Sequence, residues 1–277
     1  MNVMNRLCTS VADFVLVAMS GWTSVWPLLF LSILSGIGMA IVLRWTSAQG
    51  ALKQVADQSR AQVLAIKLFK DDLRTMFRSF WRLLGYATLR LWYGVPPVLV
   101  MIVPLVLGMV QLARWYEFRP LCPGASAIVE VQLDDKNWST HQELVLSGSG
   151  GIHLETTALR DERECSLYWR FHVDEPGLAT LQWQQGKESF TKQVNVVPEK
   201  DQLGAADYRR PGAVWWDQVL HPGESGFSRN SPLQAIVVHY PRRQTPVLGV
   251  AVPWWMTFFI VSMIAAMLSR PLVKVQF

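Results

Sequence analysis

The sequence predicts an α+β membrane protein with three transmembrane helices, a cytoplasmic helical hairpin and an external immunoglobulin-like antiparallel β-sandwich. Three windows without a charged side chain predict the helices: residues 14–43, 91–113 and 244–269. A membrane-spanning helix needs about 20 mainly apolar residues, and each window has that length. Between the second and third windows the hydrophobic pattern changes to a period of two residues, which is typical of strands.

The first window is too short for two crossings, so we expect an interfacial helix near residues 11–22, followed by one span near residues 26–43. The second span is residues 91–113, and the third is about residues 250–268. Three crossings are therefore expected.

Three prolines lie in the second span. Pro96 and Pro97 are expected in the first turns of its helix, where a missing N–H costs little. Pro104 lies in mid-helix and is expected to kink it, which membrane helices tolerate when neighbouring groups satisfy the freed carbonyl.

The distribution of lysine and arginine predicts the orientation. Residues 44–90 contain nine basic and three acidic residues, a net charge of +6, whereas residues 117–243 contain 13 basic and 17 acidic residues, a net charge of −4. Because Lys and Arg concentrate in cytoplasmic loops, we expect the first segment in the cytoplasm and the second outside. The localisation that follows is a bacterial inner membrane, with the large domain on the periplasmic side.

Five segments follow from this topology. They are an interfacial helix with the first transmembrane helix (1–44), a basic cytoplasmic amphipathic helix or hairpin (45–90), the second transmembrane helix (91–113), the external β-sandwich with a Trp-rich membrane-proximal loop (114–245), and the third transmembrane helix with a short cytoplasmic tail (246–277).

A basic amphipathic helix is predicted on the cytoplasmic side. Its apolar residues recur every three or four positions and share one helical face: Ile66, Phe69, Leu73, Met76, Phe80 and Leu83. Five basic residues flank them: Lys67, Lys70, Arg74, Arg78 and Arg82. The helix either lies on the anionic inner leaflet or packs on a partner helix. The chain must return to the membrane, which favours a hairpin with its turn near "KLFKDDLR", where Asp71 or Asp72 caps the second helix.

Six short strands are predicted in the external segment: "AIVEVQL", "HQELVLS", "GIHLETT", "SLYWRFHV", "LATLQWQQ" and "FTKQVNVV". A seventh, "LQAIVVHYP", precedes the last span. Short strands separated by turn signals at such spacing are typical of an immunoglobulin or fibronectin type sandwich. Leu167, Trp169 and Phe171 are expected to point into its core, and Tyr168 and Arg170 outward.

Two cysteines fall in the external segment. In an oxidising compartment Cys122 and Cys165 are candidates for a disulfide, and two buried thiols are the alternative. They do not predict a metal site, because a second pair of ligands is missing.

The residues predict no catalytic, cofactor or metal site. The five histidines lack metal-ligand spacing, and the nucleophile motif G-x-S-x-G does not occur. "SGSGG" at residues 147–151 is interpreted as a hairpin turn, because no Lys-Ser or Lys-Thr pair follows it. No nucleic acid or small-molecule substrate is inferred, since a membrane already accounts for the basic segment.

Small and polar residues inside the spans predict either helix packing or a semi-polar groove open to the cytoplasm. They are Ser32, Ser35, Gly36, Gln111, Thr257 and Ser262. A second set is expected at the membrane interfaces, where Arg and Trp concentrate: Arg44, Arg90, Arg114, Trp215, Trp216, Trp254, Trp255 and Arg270. Trp215 and Trp216 are expected in a short helix that rests on the outer membrane face.

The order of these segments resembles the core of the YidC-type membrane-protein insertase superfamily. The residues that carry the resemblance are "SILSGIGMAIVLRWTSAQGALKQVADQSRAQVLAIKLFKDDLRTMFRSF" and "VPPVLVMIVPLVLGMVQLARW", with the last span. The resemblance implies a groove between three helices that faces the cytoplasm and admits polar client segments, with the hairpin receiving clients. This chain differs in two respects: Arg44 lies at the end of the first span rather than inside it, and a sandwich is inserted before the third span. The chain also resembles other bacterial three-span membrane proteins.

Two functions fit these expectations. The first is a non-catalytic accessory, structural or assembly subunit of a membrane protein complex, acting through its external β-sandwich. The alternative is an insertase-like biogenesis factor that uses a cytoplasm-facing groove. The expected partners are membrane lipids and other integral membrane proteins.

Overall fold

The computed structural model describes residues 3–19, 25–46, 49–68, 73–134, 138, 144–185, 188–199, 202–247 and 250–273. The helices in these ranges are α1 (Val3–Ala18), α2 (Val25–Thr46), α3 (Gln49–Leu68), α4 (Leu73–Tyr116), α5 (Trp215–Leu220) and α6 (Trp254–Val273). The strands are β1 (Ala125–Leu133), β2 (Val145–Ser149), β3 (Ile152–Leu154), β4 (Leu159–Asp161), β5 (Ser166–Val173), β6 (Gly177–Gln185), β7 (Glu188–Val196), β8 (Arg209–Arg210), β9 (Leu233–His239), β10 (Thr245–Val247) and β11 (Val250–Val252).

The chain divides into two compact units. The first comprises Met1–Leu28 and Leu107–Thr257, and therefore contains α1, the last turns of α4, α5 and the described strands. The second comprises Leu29–Val106 and Phe258–Phe277, and contains α3 with most of α2, α4 and α6.

Three of the described helices are long and apolar enough to cross a membrane. They are Val25–Thr46, Phe77–Tyr116 and Trp254–Pro271. The prediction of three long apolar helices is therefore confirmed, together with the α+β class and the antiparallel sheets. The charge-free windows predicted the helices because charged side chains are costly in apolar surroundings.

The second apolar helix begins earlier than predicted. Helix α4 runs without interruption for 44 residues from Leu73 to Tyr116, through Arg90. Pro96 and Pro97 consequently lie in its interior, so the prediction that they occupy its first turns was wrong. The sequence between Leu73 and Arg90 is rich in Leu and Arg, which favour helix and provide no stop before the apolar run.

The predicted turn falls between two described helices. Helix α3 is described up to Leu68 and α4 from Leu73, on either side of the centre of "KLFKDDLR". Asp71 and Asp72, the predicted caps, lie outside the described residues. The continuous apolar stripe predicted from Ile66 to Leu83 is divided between the two helices.

The ends of two other helices also differ from the prediction. Helix α1 begins at Val3, earlier than the interfacial helix expected near residues 11–22, of which residues 20–22 lie outside the described chain. Residues 250–252, expected in the third span, form β11 and pair with β10. Helix α6 begins only after Pro253, whose carbonyl accepts the amide of Met256 at 3.1 Å.

The described strands form antiparallel sheets. The larger sheet has the order β3-β5-β1-β9-β8, with β4 also paired to β5. A three-stranded sheet has the order β2-β6-β7, and β10 and β11 form a separate two-stranded sheet. Strand β2 begins at Val145; residues 141–143 of the predicted strand lie outside the described residues. Four short strands, β4, β8, β10 and β11, were not predicted.

One hydrophobic core is built from both larger sheets. It includes Val129 and Phe171 from one sheet and Leu181 and Trp183 from the other. The rings of Trp169 and Trp183 meet edge to face with centroids 6.2 Å apart. The predicted inward residues are confirmed, because Leu167, Trp169 and Phe171 are all at most 4% exposed. Arg170 is exposed and Tyr168 half-buried, as the alternation of a strand requires.

The strand order does not support an immunoglobulin-like domain. In that fold the first strand pairs within an A-B-E-D sheet and lies at its edge. Here β1 lies in the interior of its sheet, between β5 and β9. The predicted pair of antiparallel sheets is observed, whereas the strand order of an immunoglobulin domain is not.

Cys122 and Cys165 are not joined by a disulfide. Strands β1 and β5 run antiparallel, so that Ala125 lies opposite Val173 and Gln132 opposite Ser166. Cys122 lies beyond one end of this paired stretch and Cys165 beyond the other, and the stretch from Ala125 to Gln132 alone is about 23 Å long at a rise of ~3.3 Å per residue. A disulfide requires Cα atoms within about 7 Å of each other.

Candidate functional site

Arg114, in the last turn of α4, is the centre of a buried polar network. Its Nε and Nη2 donate to the two carboxylate oxygens of Asp207 at 2.6 and 3.0 Å. Its Nη1 donates to Asp13 in α1 at 3.1 Å and to Gln111 at 3.2 Å. The arginine side chain is only 9% exposed. A guanidinium held by two carboxylates in this way fixes the positions of all three groups.

The same network extends along α1. The amide of Gln111 donates to the hydroxyl of Thr9 at 3.0 Å, and the indole N–H of Trp115 donates to Asp13 at 3.2 Å. Asp13 is thus held by two residues of α4, one turn from the end of the apolar helix. These hydrogen bonds attach α1 to the last turns of α4.

A second buried ion pair lies beside the first. Lys192 in β7 is completely buried and is paired with Glu224. Its Nζ also donates to the backbone carbonyl of Asp207 at 2.6 Å. Burial raises the pKa of Glu224, and the ammonium of Lys192 opposes that rise. Asp207 therefore joins the two ion pairs, through its side chain to Arg114 and through its backbone to Lys192.

Glu224 and Arg210 also cover the outer edge of β7. The amide of Gln193 donates to Glu224 at 3.2 Å, and the carbonyl of Thr191 accepts a hydrogen bond from Arg210. Strand β7 pairs with β6 on its other side and ends its sheet. Two side chains therefore form hydrogen bonds with backbone groups that would otherwise be unpaired at the edge of the sheet.

The short helix α5 is held at its base by Asp217. Arg209 donates to this carboxylate at 3.1 Å, and the amide of Gly212 donates to it at 3.0 Å. Burial alone would raise the pKa of Asp217, but the bond from Gly212 and the charge of Arg209 lower it below its ordinary value. Asp217 also lies 3.0 Å from His221, whose other ring nitrogen is 2.8 Å from the hydroxyl of Tyr208.

Helix α5 presents apolar side chains to the outside. Trp215 and Trp216 are 60% and 55% exposed, and their rings stack with centroids 4.2 Å apart. Val214 and Leu220 are also exposed. Leu220 and His221 line one small cavity with Val110 and Ala113 of α4, so α5 lies beside the last turns of that helix. We call these four exposed residues, Val214, Trp215, Trp216 and Leu220, the α5 surface.

Two arrangements of polar side chains resemble parts of catalytic sites. The cavity beside Tyr208 and His221 has a volume of about 50 Å³, enough for water but not for a substrate. On the exposed face of the larger sheet, Ser126 lies 3.3 Å from His172, which lies 2.9 Å from Asp174. That serine also donates to Glu155 at 2.8 Å, and the group lies on an open strand surface rather than in a pocket. Within the described residues no three His, Cys, Asp or Glu side chains are placed to hold a metal ion.

The predicted packing residues have different surroundings. In the second unit, Gly36 lies against α6: a Cβ placed on it would meet the carbonyl oxygen of Ser262, and would lie 3.0 Å from the Cβ of Ala265. Ser32 is buried and Ser35 half-buried on α2. In the first unit, Gln111 is buried in the Arg114 network and Thr257 is buried in α6.

The predicted interface residues are mostly accessible, with Arg114 as the exception. Arg44, Arg90, Trp215, Trp216 and Trp255 are exposed, and Trp254 and Arg270 are half-buried. Trp254 lies beside Tyr116, with ring centroids 6.5 Å apart. Arg114 was expected to reach the headgroup layer but is turned into the protein by Asp207 and Asp13.

Sequence reasoning missed Asp13, Lys192, Asp207 and Glu224. Asp13 carried a signal, because it is the only acidic residue among the first 56 and lies in an apolar helix. Lys192 carried one as well, since it shares a strand face with the buried Val194 and Val196. Asp207 and Glu224 lie in two separate loops without periodicity, and no local pattern distinguished them.

No family model, no curated protein and no solved structure matches this chain.

Proposed function

We propose that this protein is a non-catalytic integral membrane protein that acts as an accessory, structural or assembly subunit of a membrane protein complex. Its location is the bacterial inner membrane, with α3 and the first turns of α4 in the cytoplasm and the β-domain in the periplasm. The excess of basic residues between α2 and the apolar part of α4 supports this orientation.

The observation that carries the proposal is the buried network around Arg114 and Asp207. It joins α1 and the end of a membrane-length helix to the β-domain through charge-assisted hydrogen bonds. These bonds tie the β-domain to α1 and to the last turns of α4 within the first unit. A domain tied to the end of a membrane-length helix is suited to contact a partner in the same membrane.

The α5 surface is the part of the β-domain that we assign to this contact. Two stacked tryptophans combine large apolar area with polar N–H groups, a composition enriched at protein interfaces and at membrane interfaces. Because α5 lies beside the last turns of α4, a partner reached by this surface is itself membrane-embedded or membrane-bound.

The packing of the helices favours this proposal over an insertase-like function. An insertase groove would expose Ser32, Gly36 and Ser262 to water. Instead, Ser32 is buried and Gly36 lies in contact with the backbone of Ser262. Small residues that bring two helices together are the usual basis of tight packing in membranes.

Native purification in mild detergent tests the proposal. We expect one companion complex to co-purify in a fixed stoichiometric ratio, and the double variant Trp215→Ala/Trp216→Ala to lose it. The control is Leu159→Ser, because Leu159 is 68% exposed in the same domain but lies on β4. Isolation of the chain alone would contradict the proposal, and many substoichiometric nascent membrane proteins would favour the insertase.

A further inference from the structure

An apolar stripe lies uncovered on the first turns of α4. It consists of Phe77, Phe80, Trp81 and Leu84, which are 62%, 52%, 56% and 47% exposed. Their spacing of three and four residues places them on one side of the helix. Trp81 meets Phe77 edge to face at a centroid distance of 6.0 Å and Phe80 at 6.3 Å. We call these four residues the aromatic stripe.

The charged residues of α4 beside the aromatic stripe are all basic. Arg78 and Arg82 are exposed beside it, and Arg74 lies one turn before. Helix α4 contains no acidic residue in its whole length, from Leu73 to Tyr116. A surface that combines exposed aromatic rings with arginine has the composition of binding hot spots, and its positive charge selects an acidic partner.

The length of α4 places this stripe beyond the lipid. The 44 residues of the helix measure about 66 Å at 1.5 Å per residue, whereas a bilayer core is about 30 Å thick. Trp81 and Phe77 precede the charge-free run, which begins at Leu91, by about 15 and 21 Å. The headgroup layer adds only about 5–8 Å on each side. The stripe therefore lies past the headgroups when residues 91–113 fill the core.

A second copy of the chain is a poor occupant. Two aromatic stripes placed face to face would bring Arg78 and Arg82 of one copy against the same residues of the other, and like charges at an interface are unfavourable. We propose that the aromatic stripe binds an acidic amphipathic helix of a protein partner, with apolar side chains over Phe77 and Trp81 and carboxylates beside Arg78 and Arg82. This inference rests on the proposed function in one respect, namely that the chain has a protein partner.

The position of the stripe relative to lipid is tested first. The full chain, with its cysteines replaced by serine, carries an environment-sensitive dye on Trp81→Cys or, as a control, on Leu99→Cys. Leu99 is 60% exposed in the charge-free run, so its dye contacts acyl chains. In nanodiscs with brominated anionic lipid we expect quenching at position 99 and none at position 81. Equal quenching at both positions would mean that the stripe lies in the membrane, and would overturn the proposal.

Binding is tested with two designed peptides on the wild-type chain in nanodiscs. Both are amphipathic helices of about three heptads with the same leucine stripe, one flanked by glutamate and the other by lysine. We expect only the glutamate peptide to bind, and Trp81→Ala to weaken it roughly 30-fold, as for an aromatic hot spot. Leu99→Ala is the control and should leave the affinity unchanged.

Charge reversal separates recognition from loss of folding. The variant Arg78→Glu/Arg82→Glu should lose the glutamate peptide and gain the lysine peptide, a reversal that an unfolded chain would not give. Equal binding of both peptides, no binding of the glutamate peptide, or unchanged binding by this variant would overturn the inference. None of these outcomes bears on the companion complex of the β-domain, because the peptides are added to the purified chain.

Discussion

Gly36 is a residue at which α2 packs closely against the backbone of α6. The carbonyl oxygen of Ser262 occupies the place of a side chain at this position. Ser32 and Ala40, one turn before and one turn after, are also small and buried. This small-xxx-small pattern lets two helix backbones come together, as is usual for helices that pack in membranes.

Replacing Gly36 with alanine should separate the two helices. Its Cβ would collide with the Ser262 carbonyl, which belongs to the backbone and cannot turn aside. We expect a fall of several degrees in the unfolding midpoint of the full chain in nanodiscs, measured by differential scanning fluorimetry. Gly38→Ala is the matched control: nothing lies within 4 Å of its Cβ, so the substitution should be neutral or stabilise α2 by up to about 1 kcal/mol. Equal effects of the two substitutions would show that Gly36 has no special packing role.

At the scale of the element, α5 is a single short helix whose position depends on one carboxylate. Six residues form a marginal helix in water, so its conformation comes from tertiary bonds. Asp217 supplies them by accepting from Arg209 and from the Gly212 amide. Because these bonds favour the ionised form, the pKa of Asp217 lies below its ordinary value of 3.8.

The stabilisation from Asp217 should therefore depend on pH. A carboxyl group whose pKa is lowered by folding stabilises the fold above its unfolded pKa, and that contribution is lost as the pH falls through the folded pKa. We expect Asp217→Asn to lower the unfolding midpoint at pH 7, and the difference from wild type to shrink as the pH falls below about 4. Glu175→Gln, at an exposed turn, is the control and should show no difference at either pH. A difference that is constant from pH 7 to the acid limit would contradict this assignment.

The element boundaries show which patterns the sequence could reveal. A long window without charges is a strong signal of an apolar helix, because charged side chains are costly in apolar surroundings, and such windows identified the three long helices. The third charge-free window did not show that Val250–Val252 forms a strand before helix α6 begins. Apolar and β-branched residues are compatible with a strand and with a buried helix. Arg90 was interpreted as a helix boundary, yet a charge marks the limit of the apolar run and not of the backbone hydrogen bonding.

At the scale of the whole molecule, Arg114 joins residues that lie far apart in the sequence. Asp13 and Asp207 are separated from it by 101 and 93 positions. No periodicity or motif relates such residues, so the network could not be predicted. The inward face of β5 could be predicted, because side chains alternate along a single strand. This face carries the core residues Leu167, Trp169 and Phe171.

A double-mutant cycle should detect the coupling between Arg114 and Asp207. Arg114→Met alone leaves Asp207 and Asp13 without their guanidinium, and breaking a buried pair in this way costs about 3–5 kcal/mol. We expect an unfolding midpoint lower by on the order of 10 °C. Adding Asp207→Asn should recover part of this loss, because the uncompensated carboxylate is removed. Strictly additive effects of the two substitutions would show that the pair contributes no coupling.

The covered edge of β7 limits how this protein can associate. A row of open N–H and C=O groups at the margin of a sheet is a template on which a strand from another chain can be laid down. Here Glu224 and Arg210 already hold Gln193 and Thr191. A strand from a second copy would have to displace both side chains to extend the three-stranded sheet on that flank, so we do not expect copies of this chain to polymerise there.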